Sequence, residues 1–197
     1  EVNSEYEKLA GSQGKYVTVT TRSWKQVRTF AEAQELARAK TEDLLDYISK
    51  LAIKSPFETN QVEEVARLGV ATGMSTEKVK EFTQAFLDYS AVHGITSSQL
   101  GFAADQFLQL RKIGRLMTVD LRQLRRLGID VERILGVKMG MSVEEFNDKV
   151  ERSPELMDRL FSAFIEMASE GAAGASEEMA GTIGGMMSTL NDIVEVG

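Results

Sequence analysis

The chain predicts an all-α fold, a compact multi-helix bundle of short and medium helices with room for a short N-terminal extended segment. Three observations carry that prediction. Apolar residues recur at three- and four-residue steps from Trp24 to Val194. Serine or threonine followed three residues later by glutamate or glutamine recurs ahead of these runs, as capped helix starts do. Only two prolines occur, Pro56 and Pro154, and each follows a serine, where proline opens a helix and does not break one.

The bulk numbers suit such a fold. With 197 residues, 43% of them hydrophobic, the chain can enclose one sizeable core, and its 23 basic and 30 acidic side chains leave a net charge of -7. Net acidity disfavours nucleic acid as a main partner. Without cysteine there is no disulfide framework and no thiolate zinc site, and with His93 as the single histidine a metal centre would have to be almost wholly carboxylate. No apolar run reaches membrane-spanning length, so no membrane contact is expected of this fragment. The start EVNSEYEKLA lacks the basic flank and apolar run of a secretion signal. Beginning at Glu1 without methionine, the chain reads as a piece of something longer.

Along the chain, residues 3 to 10 read as a short helix, and Gly11 and Gly14 then break the period. Tyr16 to Thr21 is β-branched and aromatic enough for one strand with no visible partner, either an ordered arm or a boundary artefact. From Trp24 the pattern is helical. Val27, Phe30, Ala31, Leu36, Leu44, Leu45, Ile48 and Leu51 form an imperfect stripe with an interruption near Thr41. At Ser55-Pro56-Phe57-Glu58 the serine, proline and glutamate fit a capping box, with Thr59 as a competing cap. Either choice makes the stretch a structural joint that sends Phe57, Val62, Val65 and Leu68 to the core.

A helix from Thr76 to Val92 follows, with Val79, Phe82, Phe86, Tyr89 and Val92 on one face and an end at His93-Gly94. Thr96 to Gln99 caps the next, which carries Leu100, Ala103, Phe107 and Leu110. Shorter helices are expected around Leu121, Leu124 and Leu127, from Val131 to Leu135, and from Ser142 to Val150, the last boxed by Ser142 and Glu145. Ser153-Pro154 opens a helix bearing Leu156, Leu160, Phe161, Phe164, Ile165 and Ala168. GAAGAS at 171–176 breaks the chain before a terminal helix through Met179, Ile183, Met186, Leu190 and Val194. Gly181, Gly184 and Gly185 each weaken that helix by roughly 1 kcal/mol relative to alanine, so its order rests on packing. An internal echo, Leu68-Gly69-Val70 with Gly73-Met74-Ser75 and Leu135-Gly136-Val137 with Gly140-Met141-Ser142, marks two junctions of one design: helix end, glycine turn, capped restart.

Chemistry is sparse. Ser75 and Lys78 match S-x-x-K, but no companion element of such a serine site is present, and a capping role already accounts for Ser75. GSQGK at 11–15 lacks phosphate-loop spacing. His93 has no relay partner and sits where free helix carbonyls can engage it. The adjacent pairs Glu63-Glu64 and Glu144-Glu145 point apart on a helix. No catalytic, cofactor-binding or metal-binding residue emerges. The one charge anomaly is Arg111, Lys112, Arg115, Arg122, Arg125 and Arg126 against Asp120 alone. These residues form a solvated or internally paired face, a protein-binding face, or a helix-turn-helix contact to nucleic acid. The methionines at 179, 186 and 187 fit flexible packing or a surface covered by another segment.

The order of these elements resembles the N-terminal region of phage and prophage tail tape-measure proteins. Ser55-Pro56-Phe57-Glu58 followed by Val62 and Ala66 looks like that family's S/T-P-F-E turn, and Leu121 through Val131 with Leu135 and Gly140 resembles its L-x-Q-L-x-x-x-G-[IV]-x-V segment. Met179-Ala180-Gly181-Thr182-Ile183, with Ser188, Leu190, Asn191 and Asp192, resembles its K-T-L-x-G and S-N-L-x-D end, although the preceding lysine is missing and Glu151-Arg152-Ser153-Pro154 replaces a usual glycine-lysine turn. The resemblance implies a non-enzymatic, structural module, residues 24–197, preceded by an arm or boundary segment at 1–23. Its parent would be a long helical protein of the virion tail, present in the bacterial host cytoplasm during assembly, whose length sets where tube polymerisation stops. It implies tail assembly chaperones and tail tube or baseplate proteins as partners, and no cofactor. The rival reading is a helical nucleic-acid-binding regulator using the basic group at 111–126; a lytic or proteolytic domain would need a catalytic set that the sequence does not offer.

Overall fold

The computed structural model describes residues 16–20 and 25–183, with side chains from residue 38 onward. The chain's contacts fall into two compact units, Glu1–Asp46 and Tyr47–Gly197. In the first, β1 (Tyr16–Thr20) pairs antiparallel with β2 (Lys25–Thr29), Tyr16 opposite Thr29 and Thr20 opposite Lys25. The expected lone strand therefore has a partner, taken from residues whose spacing read as helix from Trp24. The reason is the backbone: an extended segment of β-branched residues needs its amides and carbonyls paired, and Lys25–Thr29 offers Val27 and Thr29 in alternation.

Helix α1 (Phe30–Ile53) then runs without a break through Thr41, where an interruption was expected. Its stripe is also narrower than expected. Ile48, Leu51 and Ala52 are buried, whereas Leu45 is 61% exposed.

The second unit continues through α2 (Thr59–Ala71), α3 (Thr76–His93), α4 (Ser97–Ile113), α5 (Thr118–Arg126), α6 (Val131–Ile134), a π-helical turn (Leu135–Met139), α7 (Val143–Val150), α8 (Glu155–Ala172) and a helical segment at 175–183. Helix α3 lies at the centre, packing on α8 and α2, while α2 also packs on α4 and α4 on α5. The expected face of Val79, Phe82, Phe86 and Tyr89 is buried, and burial extends unbroken from Ala85 to Ala91, so this stretch of the helix is covered on all sides. Val92 departs from the expected face and is exposed.

Five phenylalanines from three helices make the core. The Phe82 ring lies 5.4 Å from Phe86, 6.2 Å from Phe107, 6.3 Å from Phe161 and 6.2 Å from Phe164, and Phe107 approaches Phe161 and Phe164 at 4.7 Å. Most pairs are tilted, the arrangement that sets a ring edge against a neighbouring face.

The junctions follow the sequence with one exception. Ser75 accepts from the Lys78 amide at 3.3 Å, Gln99 reaches back to the Thr96 amide at 3.1 Å, and Ser142 and Glu145 close a full box at 3.1 and 3.2 Å. The internal echo is one joint built twice: Gly73 at φ 79° and Gly140 at φ 62° each turn the chain left-handed two residues before the capping serine, a conformation strained for any residue with a Cβ. The exception is Ser55. Helix α2 starts at Thr59 with Glu58 before it and no side-chain cap, so neither Ser55 nor Thr59 caps it.

Two hydroxyls inside α3, on Thr83 and Ser90, are buried and make no hydrogen bond among the described residues. An unpaired buried hydroxyl is destabilising by about 1–3 kcal/mol. Thr83→Val, which keeps the shape and removes the hydroxyl, is expected to raise the unfolding free energy by about 1 kcal/mol, while Phe82→Ala lowers it by about 3–5 kcal/mol. Urea denaturation followed by circular dichroism measures both, and a destabilised Thr83→Val chain would contradict this account of the core.

Candidate functional site

The basic group lies on the last turn of α4, the connection after it, and α5. Helix α5 has only nine residues, fewer than the roughly 12–15 that an isolated helix needs in water, so its neighbours must hold it. Leu121 and Leu124 bury one face. Ahead of α5, the Asn147 side chain on α7 clasps Leu116 from both sides, accepting from the Leu116 amide and donating to its carbonyl, each at 2.8 Å. Behind α5, the Tyr89 hydroxyl on α3 donates to the Gly128 carbonyl at 2.8 Å. Burial pushes the Tyr89 phenol above its ordinary range, so it stays a donor through neutral pH.

The six basic residues separate into two sets. Arg111 reaches Asp158 on α8 at 2.8 Å and lies 6.0 Å over the Phe161 ring, which makes it a packing residue. Arg125 bonds to Glu132 and lies 3.5 Å from Asp130, and these carboxylates raise its already high pKa. Lys112, Arg115, Arg122 and Arg126 are exposed and have no carboxylate at ion-pair distance among the described residues; Arg122 makes only a 3.4 Å contact to the Thr118 carbonyl.

Val119, Arg122, Gln123 and Arg126 line a shallow depression of about 380 Å³ on the solvent side of α5. Two other depressions carry mixed charge. One of about 320 Å³ sets Asp148 and Glu155 beside Lys149, Arg152 and Arg159, and one of about 260 Å³ sets Lys50 and Lys54 beside Glu177. The α5 depression carries positive charge alone, with Val119 65% exposed at its edge and Met117 51% exposed just before it.

The second predicted stretch is a loop between α1 and α2. Ser55 is buried, donates to the Ala52 carbonyl at 3.2 Å and accepts from the Phe57 amide at 3.4 Å; Phe57 is buried, Pro56 is half-buried, and the Glu58 amide donates to the Ser97 hydroxyl at 2.9 Å. The stretch is therefore tied to the start of α4, far along the sequence.

Sequence reasoning missed Asp88. Its buried carboxylate accepts from the Gly174 amide at 3.1 Å, the Ser176 amide at 3.1 Å, the Ser176 hydroxyl at 2.5 Å and the Gln84 side chain at 3.0 Å. It thereby caps the helical segment at 175–183 from a distant helix. A signal was present: Asp88 is the one charged residue in the otherwise uncharged run Ala85-Phe86-Leu87-Asp88-Tyr89-Ser90-Ala91. On the terminal segment Met179 is 37% and Ile183 47% exposed, whereas Met186 and Met187 lie outside the described residues.

The remaining candidates take structural places. Ser75 is the α3 cap, and Lys78 pairs with Glu81 at 2.9 Å. His93 donates from Nδ1 to the Tyr89 carbonyl at 2.9 Å and stacks on the Tyr89 ring. Glu64 bonds Arg67, which holds its carboxyl below the usual range. No cluster of three potential metal ligands occurs among the described residues, and no described helix is long and apolar enough to cross a membrane.

The model of the tape measure protein family matches residues 15–197. The chain belongs to that family. Tape measure proteins are structural components of phage tails, a context for a helical fold with exposed surfaces and few chemical groups. The rival nucleic-acid regulator draws no support from this match. No curated protein and no solved structure matches the chain.

Removing a buried acceptor of four hydrogen bonds should matter more than removing an exposed charge. Asp88→Ala is expected to lower stability by about 2–4 kcal/mol and to speed hydrogen exchange at 174–183, whereas Arg122→Ala stays within about 0.5 kcal/mol of the parent. Exchange mass spectrometry with thermal melts checks both, and unchanged exchange at 174–183 in Asp88→Ala would refute the capping role.

Proposed function

We propose that this tape measure module, residues 24–197 with the segment 1–23 as an arm, takes part in tail assembly as the non-catalytic flank of a chain that sets tail length. The match over residues 15–197 carries the reading. Its physical logic is that of a ruler: a helix advances about 1.5 Å per residue, so a long helical chain converts residue number into distance without chemistry. The compact second unit fits the flank of such a ruler, a folded head joined to a rod. Tail assembly chaperones and tail tube or baseplate proteins are the partners this role requires, met in the host cytoplasm during assembly and in the virion tail afterwards.

The experiment is an in-frame deletion series in the extended helical part of the full-length protein, with residues 1–197 intact and tails measured by electron microscopy. Tail length is expected to fall by about 1.5 Å for each residue removed. Tails of parental length across the series would overturn the length-setting role.

A further inference from the structure

We propose that the solvent face of α5 docks an acidic, amphipathic helix of a partner protein. Val119, Arg122, Gln123 and Arg126 stand at i, i+3, i+4 and i+7, one stripe of the helix about 10 Å long, and together they line the depression of about 380 Å³. The stripe is rigid before any partner arrives. Asn147 fixes the chain ahead of it, Tyr89 the chain behind it, and Leu121 and Leu124 the opposite face. A face already ordered spares a ligand the entropy of ordering it.

Charge complementarity names the occupant. Arg122 and Arg126 are like charges four residues apart, an arrangement that destabilises a bare helix. In a chain of net charge -7 they have no carboxylate at pairing distance among the described residues, while Arg111 and Arg125 are paired. Two planar guanidiniums at helical spacing match carboxylates at the same spacing on a facing helix. Val119, 65% exposed beside them, with Met117 at 51%, asks for an apolar side chain in the same ligand. A nucleic-acid phosphate meets the arginines but leaves the valine in water, and the net charge of the chain opposes a polyanion at longer range. Lys112 and Arg115, exposed on the approach to α5, add positive charge for encounter.

The test uses the full-length protein during phage production, with a photoreactive residue in place of Gln123 and the adduct sequenced by mass spectrometry. The expected adduct is a protein segment with carboxylates and apolar residues at helical spacing. In R122E/R126E its yield falls at least about tenfold with the melting curve unchanged, whereas K149E/R152E, the same charge change on other exposed residues, keeps it. An adduct to nucleic acid, an adduct to a segment without carboxylates, a yield insensitive to R122E/R126E, or no adduct would each overturn the proposal. The docking claim is independent of length measurement, because a deletion series that leaves tails unchanged does not alter the adduct.

Discussion

The second unit depends on a helix whose middle, Ala85 to Ala91, is buried on every side. Helix α3 places Phe82 and Phe86 among Phe107, Phe161 and Phe164, and its burial from Ala85 to Ala91 means that every neighbour is arranged around it. Fully burying a phenylalanine contributes about 1.5–3 kcal/mol, so these five rings together supply an amount comparable to the net stability of a typical domain before conformational entropy is subtracted. That entropy explains why the short elements are packed as they are. A nine-residue α5 and a four-residue α6 gain order only by covering the rings and leucines of longer helices.

Apolar packing sets which faces meet but leaves sliding and rotation weakly determined, and directional bonds from side chains to distant backbone remove that freedom. Asp88 ties α3 to residues 174 and 176, Asn147 ties α7 to Leu116, Tyr89 ties α3 to Gly128, and Ser97 ties α4 to Glu58. Each joins a helix to a connection, where backbone groups lack the partners that a helix interior provides. Lys138 adds a charged strap from the π-helical turn to Glu166 and Glu170 on α8, at 3.0 and 2.5 Å.

Local periodicity and capping chemistry were legible in the sequence because both act within about four residues. The α3 face from Val79 to Tyr89, the α4 face from Leu100 to Leu110, and the starts at Ser75, Thr96 and Ser142 all follow from such spacing. What escaped was non-local. The partner of β1 was read as helix because Val27 fits both periods, and only pairing decides between them. Ser55 fits a capping box, yet its hydroxyl bonds back to Ala52 while the Glu58 amide is taken by Ser97, thirty-nine residues on. At the basic group, composition showed six positive residues, but the separation of paired from unpaired required Asp158, Asp130 and Glu132 in space.

The same geometry explains why the unpaired charges stay unpaired in an acidic chain. A carboxylate that could neutralise Arg122 or Arg126 along the helix would stand three or four residues away, and those positions hold Thr118, Val119, Gln123, Arg125, Ile129, the two arginines themselves and Asp130. Asp130 is committed elsewhere: its side chain caps α6 by accepting from the Arg133 amide at 3.1 Å and faces Arg125. Asp120, the acidic residue in the first turn of α5, has a buried oxygen without a hydrogen bond among the described residues and complements the helix N-terminus, not the arginines downstream. Repulsion between Arg122 and Arg126 is therefore not relieved by a carboxylate among the described residues, and it contributes nothing to the packing of Leu121 and Leu124 beneath. A stability-driven surface would place an acid at Thr118; this one keeps positive charge beside an exposed valine, the combination on which the proposed docking of another chain rests.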